Sequence, residues 1–395
     1  MPDVALGDCA GRPFAVYVHV PYCVTRCGYC DFTTYTADEL GTAPGASREG
    51  WADAAVSEVR LAARVLGSSV PALDSVFFGG GTPTLLPPGD LLRVLDGIAS
   101  TWGLRPDAEV TVEANPESVQ PASLDVLRAG GVTRLSLGMQ SAVPHVLAVL
   151  DRVHTTGRVQ QAVAAARAAG FDNLSLDLIY GTPGESLDDW GRTLDVALDV
   201  APEHISAYAL IVEPGTRLAA QIGRGAIAAP DDDLMAAMYQ MADERLGADG
   251  FSWYEISNWA RSPGVRSRHN SLYWQDATWW GIGPGAHSHV GGVRWWNVRH
   301  PATWADRLAA GLSPAAARET LDESARRLER IMLGLRTVRG AALDDVRVAV
   351  GDEAAQRLAD LAAQGLLDAP SMLAGRVVLT LRGRLLADTV TRWLT

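Results

Sequence analysis

The chain has 395 residues, 48% hydrophobic and 20% charged, a globular composition with material for one large core and a smaller second unit. Its formal charge is −12 and its positive side chains are all arginine, so it lacks the clustered cationic stripe that phosphate contacts need, which argues against nucleic acid as a partner. There is no apolar run of about 18 residues to span a membrane and no basic, apolar leader in the first dozen residues, and four cysteines in so long a chain point to a reducing, cytoplasmic setting.

In chain order, Phe14 to Val20 reads as a buried strand that ends at Pro21 and runs into Cys23-Val-Thr-Arg-Cys27-Gly-Tyr-Cys30. Three thiolates at C-x3-C-x2-C spacing, on a loop without helical period, can converge on one soft metal centre. A structural zinc site closes with four ligands, and no fourth Cys or His stands at finger-like spacing. An iron–sulfur cluster is ordinarily held by four thiolates, so three leave one iron open to a non-protein ligand. Cys9 stands apart as an inert thiol, and His19 lies inside the strand pattern.

Asp38 to Gly50 reads as a loop and Trp51 to Leu66 as a helix. A second strand, Ser75 to Phe78, runs straight into Gly79-Gly-Gly-Thr-Pro83. Helical spacing follows over Pro88 to Trp102, then a strand over Glu109 to Glu113 closed by Ala114-Asn-Pro116, and a short helix over Pro121 to Ala129. Arg134 to Gln140 is a strand, Arg158 to Ala169 a helix, and Leu174 to Tyr180 a strand closed by Gly181-Thr-Pro-Gly184. Leu187 to Val200 is helical, and His204 to Val212 is the sixth strand. Six strand–helix alternations predict an α/β fold with a parallel sheet, and the motif residues recur at the C-terminal ends of its strands, where such folds carry their chemistry.

After Pro230 the alternation breaks. Asp231 to Leu246 is a helix, and Phe251 to Asn297 is dense in aromatics and glycine. Glu323 to Val338 and Glu353 to Leu366 are amphipathic helices, with a strand over Arg376 to Thr380. The division expected is a core over 1–228, an aromatic-rich extension over 229–310 and a C-terminal α+β domain over 311–395.

The cysteine motif, with Tyr29 before its last cysteine, resembles the radical S-adenosylmethionine (SAM) superfamily. That resemblance implies a partial (β/α)6 barrel, a [4Fe–4S] cluster on Cys23, Cys27 and Cys30, and SAM bound by the open iron. By the same resemblance Gly80, Gly81 and Thr82 belong to the segment that receives the methionyl amino group, and Glu113 reaches the same ligand. Gln140 and Asp177 match contacts to adenosine or ribose, while Arg152, Tyr17 and Tyr29 match further residues beside the cofactor.

More closely, Tyr17-Val-His-Val-Pro-Tyr-Cys23, Gly79-Gly-Gly-Thr-Pro-Thr84, Glu113-Ala-Asn-Pro116 and Asp177-Leu-Ile-Tyr-Gly-Thr-Pro-Gly184 resemble the oxygen-independent coproporphyrinogen III oxidase-like branch. In that branch the oxidases carry a further cysteine where this chain has Phe32. The HemW-type haem chaperones have phenylalanine there, begin shortly before the cluster motif and carry H-N-x-x-Y-W, matched by His269, Asn270, Tyr273 and Trp274.

A neutral imidazole is a good axial ligand for haem iron, and aromatic planes cover an apolar macrocycle. His287, in Gly-Pro-Gly-Ala-His-Ser, is a second candidate ligand and His19 a third. The resemblance implies a winged-helix-like tail, haem as cargo, and haem-accepting targets such as respiratory enzymes, with peripheral contact to their membrane complexes. It also implies a monomer or a cluster-dependent homodimer. The alternatives are a coproporphyrinogen III oxidase, or a radical methyltransferase or haem-degrading relative on the same barrel.

Overall fold

The computed structural model describes residues 3–9, 11–41, 45–152 and 155–395. One sheet organises it. Its strands are β1 (Phe14–Val20), β2 (Leu73–Gly80), β3 (Leu104–Ala114), β4 (Arg134–Gln140), β5 (Leu174–Tyr180) and β6 (His204–Ala209). They are followed by β7 (Ser252–Glu255), β8 (Asn258–Ala260), β9 (Thr278–Ile282), β10 (His287–Val290), β11 (Val293–Asn297) and β12 (Ala315–Thr320). The spatial order is β12-β11-β10-β9-β1-β2-β3-β4-β5-β6-β8-β7.

From β9 through β6 every pairing is parallel, and both edges are finished by antiparallel strands. Strands covered on both faces need apolar residues at successive positions, and β1 meets that demand with Phe14, Ala15, Val16, Val18 and Val20 all fully buried. Covering helices run over Trp51–Leu66, Pro88–Trp102, Pro121–Ala129, Thr156–Ala168 and Leu187–Asp199, close to the predicted bounds. The last begins at a capping box in which Ser186 and Asp189 satisfy each other's backbone N–H.

Sequence periodicity assigned no element between 251 and 297, where the structure places β7 to β11 and the helix Arg268–Trp274. These strands are only three to five residues long, too short for a period to register. One signal was nonetheless present: Gly291 and Gly292, both at positive φ, make the two-residue turn joining β10 to β11.

A buried carboxylate ties this edge to the barrel. Glu58, on the helix Trp51–Leu66, accepts from the Gly283 N–H at 2.8 Å, Asn297 Nδ2 at 2.7 Å and Trp304 Nε1 at 2.7 Å. Burial lifts its pKa to about 7 against the pull of these donors.

The remaining residues form a second apolar cluster around Ile331, Leu335, Val346, Leu358, Val390 and Leu394. It is built from helices Glu323–Leu335, Leu343–Val350, Ala354–Ala363 and Ala387–Leu394 with the antiparallel pair β13 (Ala341–Ala342) and β14 (Arg376–Val377). The strand predicted over 376–380 is therefore shorter than expected, continuing only as an isolated bridge at Leu379. Arg384 fastens this unit to the barrel through Asp243 at 2.7 Å while lying over the Trp253 ring, and Arg326 reaches Asp8 at 2.8 Å. Among the described residues no helix is long and apolar enough to cross a membrane.

Candidate functional site

The C-terminal ends of the parallel strands open into a cavity of about 550 Å³, with the cysteine loop at its mouth. The loop is held by β1 and by its own return: Cys23 N donates to Tyr35 O at 3.0 Å and Tyr35 N to Pro21 O at 2.7 Å. Cys23, Cys27 and Cys30 are part-exposed free thiols lining the cavity, whereas Cys9 is buried and donates to Ala5 O.

Burial, then the neighbouring Cys30 and Cys27, pushes the Cys23 thiol up to about 11, so an iron centre would have to displace its proton. Among the described residues no three Cys, His or carboxylate groups converge tightly enough for a single ion. A four-iron cube spaces its thiolates more widely than one ion does. A loop with three thiols and no fourth ligand suits such a cluster with one iron left open.

Arg152 locks the loop to the sheet. Its NH1 lies 3.8 Å from Cys27 Sγ, and its NH2 donates to Asn115 Oδ1 at 2.9 Å and to Gly138 O at 2.8 Å. A Cβ on Gly138 would stand 2.7 Å from Gln140 Nε2 and displace that side chain from its place beside Arg152. Gln140 itself sits at φ 61° beside a register shift between β4 and β5, a strained end that re-aims its side chain.

The glycine turn is equally constrained. Gly81 N donates to Val20 O and Thr82 N to Tyr22 O, both at 2.8 Å, and a Cβ on Gly81 would fall 2.5 Å from Tyr22 O. Glu113 accepts from Gly80 N at 3.1 Å, and burial, then Asp177, lifts its pKa to about 8. Asp177 accepts from Ser136 Oγ at 2.9 Å and is likewise raised by burial. Tyr17 donates to His19 Nδ1 at 2.9 Å, because His19 Nε2 is committed as a donor to Thr33 O at 2.8 Å.

The structure thus brings the cluster cysteines and every residue expected to bind cofactor into one cavity with His269, Asn270 and Tyr273. Trp274 is not among them; it lines a separate cleft facing the C-terminal unit. His269 is buried with both ring nitrogens occupied, Nδ1 by Ser75 Oγ at 2.9 Å and Nε2 by Tyr273 OH at 2.8 Å, and it stacks on Phe77. Burial, then Arg134, lowers its pKa to about 3, so the ring is neutral. Asn270 Nδ2 donates to Glu255 Oε1 at 3.0 Å. The histidine motif braces β2 against the aromatic edge.

Sequence reasoning missed Arg134, a buried cation at the start of β4 that faces the same cavity, and His204 opposite it. Both are the first residues of their strands, where a polar residue usually marks a solvated strand start, so nothing in the sequence set them apart.

A second cavity of about 830 Å³ adjoins the first across Tyr17, Phe32 and Glu113. Its walls are Trp279 and Trp296 with Met332 and Leu333, and it also exposes His19, His287 and His289.

The chain is similar to known proteins over most of its length. The radical SAM superfamily profile matches residues 17–197. Over 389 residues the chain is 50% identical to the protein named heme chaperone HemW in Mycobacterium tuberculosis strain H37Rv, covering 98% of this chain and 96% of that one. It is 33% identical over 336 residues to heme chaperone HemW of Bacillus subtilis strain 168, covering 83% and 84%. Among solved structures, coproporphyrinogen III oxidase (HemN) from Escherichia coli superposes with a TM-score of 0.82 over 99% of this chain and 92% of that one, at 21% identity, a likeness of fold.

Proposed function

We propose that this chain, which belongs to the HemW family of the radical SAM superfamily, is a haem chaperone that carries a [4Fe–4S] cluster and SAM and delivers haem to haem-requiring proteins. The observation that carries the reading is 50% identity to a haem chaperone along nearly the whole of both chains, so that barrel, aromatic edge and C-terminal unit are all shared.

The cavity at the strand ends suits the two cofactors. Cys23, Cys27 and Cys30 would hold the cluster, with Arg152 supplying a positive charge beside Cys27. The Gly80–Thr82 turn and Glu113 offer backbone and carboxyl groups to the methionyl end of SAM, and Gln140 and Asp177 offer polar groups to its nucleoside. When bound, the cluster supplies one-electron reduction of the cofactor, which is the cofactors' own chemistry. Tyr17 and Tyr29 line the same cavity and bring apolar ring surface to its polar floor.

The reading places the protein in the cytoplasm, with respiratory enzymes among its acceptors and membrane contact made through them. It takes the molecule as a monomer that cluster loading can convert to a homodimer.

The HemN-like fold makes oxidative decarboxylation of coproporphyrinogen III the second reading. Phe32, exposed beside the cluster loop where an oxidase would offer a cysteine, speaks against it. Anaerobic turnover with SAM and a reductant, read by porphyrin mass, separates the two: retention of every propionate carboxyl with the cluster intact is expected, and their loss would make the protein an oxidase.

A further inference from the structure

We infer that haem binds in the second cavity, with His287 as its axial ligand and Arg299 facing a propionate. The inference rests on the haem-chaperone reading and deepens it by assigning the site. A volume of about 830 Å³ lies within the range of small-molecule sites, about 300–1,000 Å³. Trp279 furnishes flat aromatic surface for a macrocycle, and Trp296, nearly parallel to the His287 ring, would meet the macrocycle's face edge-on. Met332 and Leu333, on the C-terminal helix Glu323–Leu335, complete the enclosure from the other unit.

The ligand assignment follows from which imidazoles are free. His269 is bonded through both nitrogens, to Ser75 and Tyr273. His19 is bonded to Tyr17 and Thr33, and His289 to Ala277 O at 3.0 Å and Gly292 N at 3.2 Å. Each would have to abandon a buried hydrogen bond to reach iron, leaving its partner unsatisfied. His287, the first residue of β10, is exposed and makes no side-chain hydrogen bond among the described residues. It is held flat against Trp296, with ring centroids 5.7 Å apart and planes 23° apart.

Cavity charge follows the same division. Arg294 is already neutralised by Glu319 at 2.7 Å and Glu329 at 2.8 Å. Arg299 is exposed and has no carboxylate partner among the described residues, which leaves its guanidinium fork for an incoming carboxylate. Asp31 and Phe32 line both cavities, so a haem seated here would lie beside the cluster loop.

The test titrates ferric haem into the full-length, cluster-loaded protein, His287→Ala, Arg299→Ala and an unrelated control, reading affinity and the visible spectrum. The wild type should bind haem stoichiometrically with an imidazole-ligated spectrum. His287→Ala should lose that spectrum and weaken binding at least about tenfold, and added free imidazole should restore the spectrum. His287 lies at the surface and bonds nothing through its ring, so this variant should fold. Wild-type binding with an unchanged spectrum and affinity in His287→Ala would overturn the assignment and leave the chaperone reading standing. Wild-type binding no better than the control would overturn both.

Discussion

In the cavity at the strand ends Glu113 takes the Gly80 N–H, Asp177 the Ser136 hydroxyl, and Arg152 the Asn115 and Gly138 oxygens. The adjoining cavity sets Trp279, Trp296, Met332 and Leu333 beside charged groups such as Asp276, Glu329 and Arg299, and the imidazole of His287 makes no side-chain hydrogen bond there among the described residues. The first is a preorganised hydrogen-bonding cradle, which suits a small polar ligand presented to an iron at the cysteine loop. The second adds aromatic surface and, among the described residues, an imidazole without a hydrogen-bond partner and the unpaired guanidinium of Arg299, which suits a flat ligand with one metal and peripheral carboxylates. Two ligands can therefore sit side by side, separated by walls that include Tyr17, Phe32 and Glu113, which both cavities share.

The largest effect that would sharpen this contrast is in the cluster loop. Cys27→Ala should abolish bound iron and sulfide after anaerobic reconstitution, measured by iron analysis and visible absorbance, because only two thiolates would remain for a cluster ordinarily held by four. Full cluster content in that variant would break the assignment of the polar cavity.

Next comes the clamp between the two regions. Glu58→Ala orphans three buried donors, at Gly283, Asn297 and Trp304, each costing about 1–3 kcal/mol, so denaturant unfolding should show a loss of about 3 kcal/mol or more.

Within the polar cavity, Glu113→Ala should weaken SAM binding about 10- to 100-fold by calorimetry, the size of one hydrogen bond to a charged group. His287→Ala should change SAM affinity by no more than about twofold if the cavities act independently. Equal damage from both variants would dissolve the distinction.

A pH effect follows from the buried carboxyls. Folding raises Glu113 from 4.5 to about 8, and raises Glu58, Glu185 and Glu255 to about 7. Each prefers its protonated form in the native state, so its stabilising contribution is complete below pH 4.5 and is lost as pH rises through 7 to 8. The thermal midpoint of cluster-free protein should therefore fall between pH 6 and pH 8.5, and Glu113→Gln should shrink that fall.

The smallest effect is at the rim of the apolar cavity. Arg299→Ala should weaken haem about two- to fivefold, as expected of an exposed charge pair worth at most about 1 kcal/mol, with the loss vanishing at high salt.

The two regions also differ in how far sequence revealed them. The parallel strands were legible because each is a short stretch of continuous or alternating apolar residues set between helical stretches, several closed by glycine or proline, and β1, β4 and β5 have the predicted bounds. The polar cavity was legible because its residues recur near strand ends, as Glu113 and Gln140 do, although Asp177 lies at the middle of β5 rather than at its end. The apolar cavity was not. Its walls come from strands too short to show a period and from Met332 and Leu333, on a helix that the sequence showed as amphipathic without saying what its apolar face would meet. His269 stood out as a motif, but pairing of its nitrogens with Ser75, distant in sequence, depends on tertiary packing alone.

The central claim is delivery of haem, and transfer tests it most directly. Protein loaded with ferrous haem and carrying an intact cluster would be mixed anaerobically with a haem-free acceptor such as a respiratory enzyme, and acceptor activity followed in time. The account predicts activation faster than the same haem supplied on an unrelated haem-binding protein, and slower activation with the His287→Ala variant. Activation no faster than from that unrelated carrier would contradict it.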